Sequence, residues 1–377
     1  MITRDELTRI AARKGFKNLA IIEKDYALTW ALKAIYSNEK LYRYLVFKGG
    51  TCLSKVYSET YRLSEDLDFS AYREGRLTLE DLQRELKTSF EKANSEGAPT
   101  LQLKDDEILS NPGFVRFIAR YTGPLGQPAK IKLEITTAEH VIFEAENLAL
   151  KEAAYPDIPP FKIHCYHFSE LFTEKVRAIM QRGKSRDYYD VWQMLTNPGL
   201  RKKLPTMIFE VRRNLLEKCE RNGIDYEPEK IFSSASVEGA RAHWKDTLGY
   251  LVKELPNFDK VIEELGEELF EEAELARFSK NFDTGHIRNI VRQEGTGPLI
   301  LRAIELVGQK LESKKVSEVE IALDVIPIVN EKLKKNQGWK IAMTRIWKRS
   351  MEILSEDKDT RISGRAKELL DILSWQN

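Results

Sequence analysis

The chain has 377 residues, of which 32% are charged, with a net charge of +1. That length suits two domains of ordinary size. The near-zero net charge neither draws the chain to nucleic acid nor keeps it away, so any basic surface has to be local. No apolar segment is long enough to span a bilayer, and the start MITRDELTRI has no apolar signal core, which argues against membrane partners and secretion.

Residues 3 to 36 read as two helices. Thr3-Arg4-Asp5-Glu6 has the form of a helix start, with Glu three positions after the cap. Ile21, Tyr26, Ala27, Trp30 and Ile35 form the stripe of a packing helix. The stretch from Tyr44 to Ser70, YLVFKGGTCLSKVYSETYRLSEDLDFS, then reads as strand, glycine turn, helix, strand. Leu45, Val46 and Phe47 make the apolar run of a buried strand, and Gly49-Gly50 breaks it. From Cys52, Leu53, Val56 and Tyr57 recur three and four apart, as on a helix, with Thr51 as its N-cap. From Leu63 the spacing returns to two. Leu67 and Phe69 fall on one face of a strand, and Asp66 and Asp68 on the other.

Two carboxylates on one strand face repel each other and are costly to bury unpaired. A divalent cation is the usual relief, and Mg²⁺ is held by one or two carboxylates with substrate phosphates and water. A glycine turn opening a helix supplies backbone N–H groups that favour phosphate, and glycine lets the ligand approach closely. The stretch therefore reads as a metal–nucleotide site for phosphoryl or nucleotidyl transfer. Lys48, Lys55 and Arg62 lie within or beside it. Arg62 is the preferred phosphate partner, because it directly precedes the acidic strand and a guanidinium can make two bonds.

FKGGTCLSKVY followed by RLSEDLDF resembles the AbiEii/AbiGii-type toxin nucleotidyltransferases of type IV toxin–antitoxin systems. These are related to the MenT tRNA-modifying toxins and belong to the DNA polymerase β-like nucleotidyltransferase superfamily. Gly49-Gly50-Thr51 stands for the superfamily's glycine motif, with Thr51 in place of the commoner Ser. Asp66-Leu67-Asp68 stands for its acidic pair. The resemblance implies Mg²⁺ or Mn²⁺ on Asp66 and Asp68, a nucleoside triphosphate substrate, and Gly49, Gly50, Thr51, Lys48 and Arg62 around the nucleotide.

Residues 76 to 94 carry Leu79, Leu82, Leu86 and Phe90 in helical phase. Phe114 to Tyr121 and the alternating Ile131, Leu133 and Ile135 read as a hairpin across the turn-rich TGPLGQPA. Glu134 faces away from the apolar side of its strand. The superfamily commonly places a third carboxylate there, as metal ligand or as base for the attacking hydroxyl. Further on, alternation sends His164 and Cys165 to opposite faces, so a zinc site with His167 is not expected. The three cysteines, Cys52, Cys165 and Cys219, lack metal spacing and fit reduced thiols in a cytoplasmic protein.

Ser169 to Arg182 reads as a helix capped by Ser169 and ended by Gly183. A second helix runs from about Arg186, with Tyr188, Val191, Trp192 and Leu195 in phase and Asp187 and Asp190 off that face. EKVRAIMQRGKSRDYYDVW resembles the second signature of the same family, which makes Lys175 and Asp187 active-site residues. Lys175 would hold a phosphate oxygen. Asp187 would hold that lysine, orient a hydroxyl, or touch base or ribose. Helices are expected over Met207–Cys219, Ala240–Leu255 and Phe258–Leu275. Trp339 and Trp347, among the Lys and Arg of 332–349, are either an RNA-facing surface or core anchors, and core anchors are preferred.

The expected fold is α/β (α+β): a nucleotidyltransferase core with a mixed sheet and flanking helices over 1–165. An α-helical domain over 166–377 would follow, contributing Lys175 and Asp187 to the cleft, with an extra helical extension from about residue 275. The implied reaction moves NMP from an NTP to an acceptor hydroxyl. The implied acceptor is the 3′ end of tRNA, which would block translation, and the implied partner is a cognate antitoxin. Two alternatives stay open: transfer to a small-molecule or protein acceptor, and a non-catalytic GTP-binding toxin.

Overall fold

The computed structural model describes residues 1–58, 61–72, 77–151, 155–204, 208–266, 269, 304, 307–333 and 347–372. The chain divides into two compact units. The first comprises Met1–Tyr226 and Lys230–Leu265, and the second comprises Glu227–Glu229 and Gly266–Asn377. The helices between residues 168 and 248 thus share a unit with the sheet, and the division expected at 165 is not where the chain parts. The reason is packing: buried ion pairs and backbone bonds tie those helices to the strands.

Helix α1 spans Arg4–Lys14 and opens with the capping box expected at Thr3 and Glu6. Helix α2, Leu19–Tyr36, is buried almost throughout. It is followed by α3 (Glu39–Tyr44) and strand β1 (Leu45–Lys48). The chain then enters a short helix, α4 (Gly49–Cys52), which continues as a π turn over Leu53–Tyr57. This helix begins two residues before the expected cap. Thr51 lies inside it, and its hydroxyl donates to the Asp66 carbonyl. Strand β2 is Asp66–Ala71 and helix α5 is Leu79–Ser95.

Strands β3 (Thr100–Leu103), β4 (Leu109–Asn111), β5 (Phe114–Thr122), β6 (Pro128–Thr136), β7 (Glu146–Ala149) and β8 (Lys162–Cys165) complete one sheet. Its order is β3-β5-β6-β2-β1-β8-β7, with β4 on β5. The sheet is mixed: β2 runs parallel to β6 and β1 parallel to β8, while β1–β2 and β5–β6 are antiparallel. Phe47, Leu67, Phe69, Leu133 and Ile135 are fully buried on one face, where α2 and α5 pack. Period-2 alternation then sends Lys48, Asp66, Asp68 and Glu134 to the opposite face.

Helices α6 (Phe168–Arg182), α7 (Ser185–Thr196), α8 (Pro198–Arg201) and α9 (Ile208–Arg221) follow. The cap of α6 is His167, not Ser169: its imidazole Nδ1 accepts from the Ser169 N–H at 3.1 Å. Gly183 ends α6 at φ +51°, as its lack of a Cβ permits. The helix expected over Ala240–Leu255 is broken into α10 (Ser234–Ala242) and α11 (Trp244–Leu248). It stops at Gly249, where any Cβ would meet the Lys245 carbonyl oxygen at 2.7 Å.

In the second unit, helices Val316–Leu333 and Thr360–Ile372 share a core with Val307, Leu311, Trp347 and Met351. Trp347 is fully buried and donates its indole N–H to the Ile304 carbonyl, the core role preferred for it. Trp339 lies outside the described residues. Trp347→Ala should cost about 3–5 kcal/mol through the cavity it leaves. Denaturant unfolding of the full chain checks this, and an unchanged midpoint for the transition that reports the second unit would contradict the packing.

Candidate active site

The site grows from β2 and its two neighbours. Asp68 lies opposite Lys48 on antiparallel β1 and level with Glu134 on parallel β6. Asp66 sits two residues earlier on the same face. Three carboxylates thus share one surface. Glu134 has a counter-charge, since Arg116 from β5 donates Nε–H to its Oε1 at 2.8 Å. Among the described residues, no side chain bonds to or pairs with the carboxylates of Asp66 or Asp68. Burial raises the Asp68 pKa, helped by Glu134 and Asp66 and opposed by Lys48 and Lys175, to about 6.

The glycine turn backs directly onto this pair. Gly49 has φ +78°, and a Cβ there would lie 2.2 Å from Asp68 Oδ2. A Cβ on Gly50 would lie 2.5 Å from Arg62 Nη2. The two glycines therefore make room for the protein's own acid and guanidinium. Gly50 and Thr51 are buried and Gly49 is half-buried.

Arg62 is placed differently from the phosphate-facing role read from sequence. It is 3% exposed, and its Nε and Nη2 grip the two oxygens of Asp190 at 2.7 and 2.9 Å. Its Nη1 donates to the Leu63 carbonyl at 3.1 Å. This is a strut between the lead into β2 and helix α7. Burial opposes the charge on Asp190, yet Arg62 and Lys175 outweigh it and hold the carboxyl well below the usual range.

Lys175 on α6 lies 2.7 Å from Asp190 and 3.4 Å from Asp187. Burial disfavours its charge, but these two acids outweigh that and raise its pKa. Asp187 is 1% exposed and also accepts from Arg182 Nε and Nη2 at 2.8 and 3.0 Å. A chain of alternating charges results: Arg62, Asp190, Lys175, Asp187, Arg182. The structure thus brings Lys175 and Asp187 together, and both Lys175 and Arg182 are near enough to act on the charge of Asp68.

Lys48 leans the other way along the same face. It lies 3.7 Å from both Glu139 and Glu174 and packs over the Tyr166 ring. Glu174 is shared with Lys218 of α9, which is fully buried and also meets Glu139 and Glu170 at 3.3 and 2.6 Å. Burial works against the Glu174 charge, but Lys48, Lys218 and Arg177 bring its carboxyl down to about 2. Lys55 is paired with Asp25 of α2 at 2.6 Å.

Asp190, Arg182 and Lys218 were missed as members of the site. A signal existed for two of them. Asp187 and Asp190 are three apart on one helix face, and Lys175 and Arg182 are seven apart on another.

A divalent cation fits the chemistry of this donor set. Among the described residues, these two carboxylates on one strand face, one with a raised pKa, lack the bonded counter-charge that their neighbours possess. Among the described residues no three His, Cys, Asp or Glu side chains form a closed cage. An open pair suits a cation whose remaining positions go to phosphate and water.

The family model described as nucleotidyl transferase AbiEii toxin, Type IV TA system, matches residues 30–264. The chain belongs to this AbiEii family of nucleotidyltransferase toxins. The match takes in β1, the glycine turn, β2 and the Lys175–Asp187–Asp190 cluster, so this AbiEii chain is a nucleotidyltransferase. Comparison with curated proteins finds no significant match. Among solved structures, the chain is similar to MenT4, a nucleotidyltransferase toxin from Mycobacterium tuberculosis H37Rv. The two are 18% identical with a TM-score of 0.39, over 67% of this chain and 100% of that one. No described helix is long and apolar enough to cross a membrane.

Two outcomes follow from these charges. Removing one half of a buried pair strands the other, so Arg62→Met should lower stability by about 3–5 kcal/mol in denaturant unfolding, and a loss under about 1 kcal/mol would show the strut to be idle. The second concerns pH. Unfolded aspartate titrates at about 3.9, whereas Asp68 holds its proton to about 6. As pH rises through that window, the metal-free fold loses stability relative to the unfolded chain. Metal-free Asp68→Asn should therefore melt higher than the parent at about pH 8 and equally at about pH 4. Equal melting at both would contradict the shift.

Proposed function

We propose that this nucleotidyltransferase transfers NMP from a nucleoside triphosphate to an acceptor hydroxyl at the 3′ end of tRNA, blocking translation. The observation that carries the transfer chemistry is the unpaired Asp66–Asp68 couple on a face where the neighbouring buried charges are matched. Asp66 and Asp68 would hold Mg²⁺ or Mn²⁺. When bound, the cation would screen the phosphates and stabilise the attacking and leaving oxygens.

The chain's own residues do the rest. Lys175, anchored by Asp190 and Asp187, offers its ammonium to a phosphate oxygen. Lys48 and Glu174 fix the electrostatics behind Asp68. Gly49 keeps the chain clear of the Asp68 carboxylate, which a side chain there would displace. Glu134 is tethered through Oε1 by Arg116, which leaves Oε2 to take the proton from the attacking hydroxyl. The hydroxyl oxygen bonds to the α-phosphorus, the α–β bridging bond breaks, and pyrophosphate leaves with the electron pair. Positioning and charge neutralisation carry this catalysis. Arg62, Gly50 and Thr51 serve as its scaffold. A cognate antitoxin is the partner proposed from family membership, acting in the cytoplasm.

The test is incubation of the purified chain with each labelled NTP and total RNA, with and without divalent cation. The expected result is label in tRNA and released pyrophosphate. Asp66→Ala with Asp68→Ala should cut transfer by about a hundredfold to a thousandfold or more while far-UV circular dichroism stays unchanged. Undiminished transfer by that double variant sinks the site. Label in protein or small molecules instead of tRNA replaces the acceptor, and NTP binding without pyrophosphate release favours a non-catalytic binder.

A further inference from the structure

We propose that Arg182 is the residue that grips the β- and γ-phosphates of the nucleotide, and that Asp187 is its buried anchor. The proposal rests on the nucleotidyl-transfer reading and deepens it by assigning the polyphosphate subsite.

Arg182 is the last residue of α6, just before the turn at Gly183. Its side chain is 53% exposed, yet its Nε–Nη2 edge is fixed by an acid that is 1% exposed. A surface guanidinium ordinarily samples many rotamers. Here one edge is locked, and Nη1 makes no hydrogen bond among the described residues. The contrast with Arg62 is informative. There both partners are buried, as in a structural strut, and Asp190 also holds Lys175. Around Asp187 both cationic partners retain access to solvent. Burying a carboxylate is costly, and Asp187 is buried to hold two cations, Lys175 and Arg182, that both keep some exposure. It makes sense if the guanidinium has to be ready for a ligand.

Chemistry and spacing name that ligand. Guanidinium matches phosphate through paired N–H donors, and holding it in advance reduces the entropy lost on binding. Lys175 and Arg182 are seven residues apart on one helix, so they lie on the same side about 10 Å apart along the axis. Two long side chains at that spacing can close on successive phosphates of one chain. Both cations share the Asp187 carboxylate, which holds Arg182 beside Lys175. A free nucleoside or monophosphate has nothing for Arg182 to hold.

The experiment is titration calorimetry on the full chain with Mg²⁺. The ligands are the best-binding of the four NTPs, its monophosphate, and inorganic tripolyphosphate. Arg182→Gln should weaken NTP and tripolyphosphate by about 10–100-fold, as expected for lost charge-assisted bonds, and leave the monophosphate within about twofold. Arg182→Lys should fall between, because it keeps the charge without the fork. Asp187→Asn should weaken NTP in the same sense. Since burial makes that variant prone to misfolding, the surface change at Arg182 carries the test, with melting temperature as its control. NTP binding unchanged in Arg182→Gln overturns the inference while leaving nucleotidyl transfer standing. So does an equal loss for all three ligands. No NTP binding by the unmodified chain overturns this inference together with the parent reading.

Discussion

The structure turns on a mismatch of charge. Along the open face of the sheet and the helices beside it, acids and bases alternate in close pairs: Arg62 with Asp190, Lys175 with both aspartates of α7, Lys218 with three glutamates. Asp66 and Asp68 break the pattern. They sit level with a third acid, and the nearest cations are held by other partners. Among the described residues the neighbouring buried charges are matched, while no base bonds to these two carboxylates. On the reading proposed above, a cation and a polyphosphate brought in together would supply the missing charge.

The buried pairs have a second consequence. Ion pairs of this kind add little net stability against apolar packing, but removing one half is expensive. They therefore act as rigid spacers more than as glue. Arg62 fixes the lead into β2 against α7, and Lys218 fixes α9 against α6. Lys175 is held by both aspartates of α7, and Arg182 by Asp187. Preorganisation of that sort is what a phosphoryl-type transfer asks of a protein that does no covalent work itself.

How much of this was legible in the sequence follows from the range of the interactions. The strand–glycine–helix–strand run and the shared face of Asp66 and Asp68 are local. Period-2 and helical spacing place them without any knowledge of the rest. Glu134 was also readable, because alternation in β6 fixes its face and the family supplies the register. Arg62 was misjudged because its partner lies 128 positions away, and no local pattern tells a phosphate-binding arginine from one already spoken for. The roles of Gly49 and Gly50 were incomplete for a similar reason. Openness was read as space for phosphate; the structure adds that a Cβ at Gly49 would meet Asp68 and one at Gly50 would meet Arg62. The cap of α6 depends on one imidazole, which propensities do not resolve. The two local signatures quoted for the family both fall inside the matched span of 30–264.

The central claim is that Asp66 and Asp68 together seat the cation that serves the nucleotide. The most direct measurement is anomalous diffraction from crystals grown with Mn²⁺ and a non-hydrolysable NTP. A Mn²⁺ peak bridging the two carboxylates and the bound phosphates is the predicted result. A nucleotide bound elsewhere, or a Mn²⁺ peak away from both aspartates, would contradict it.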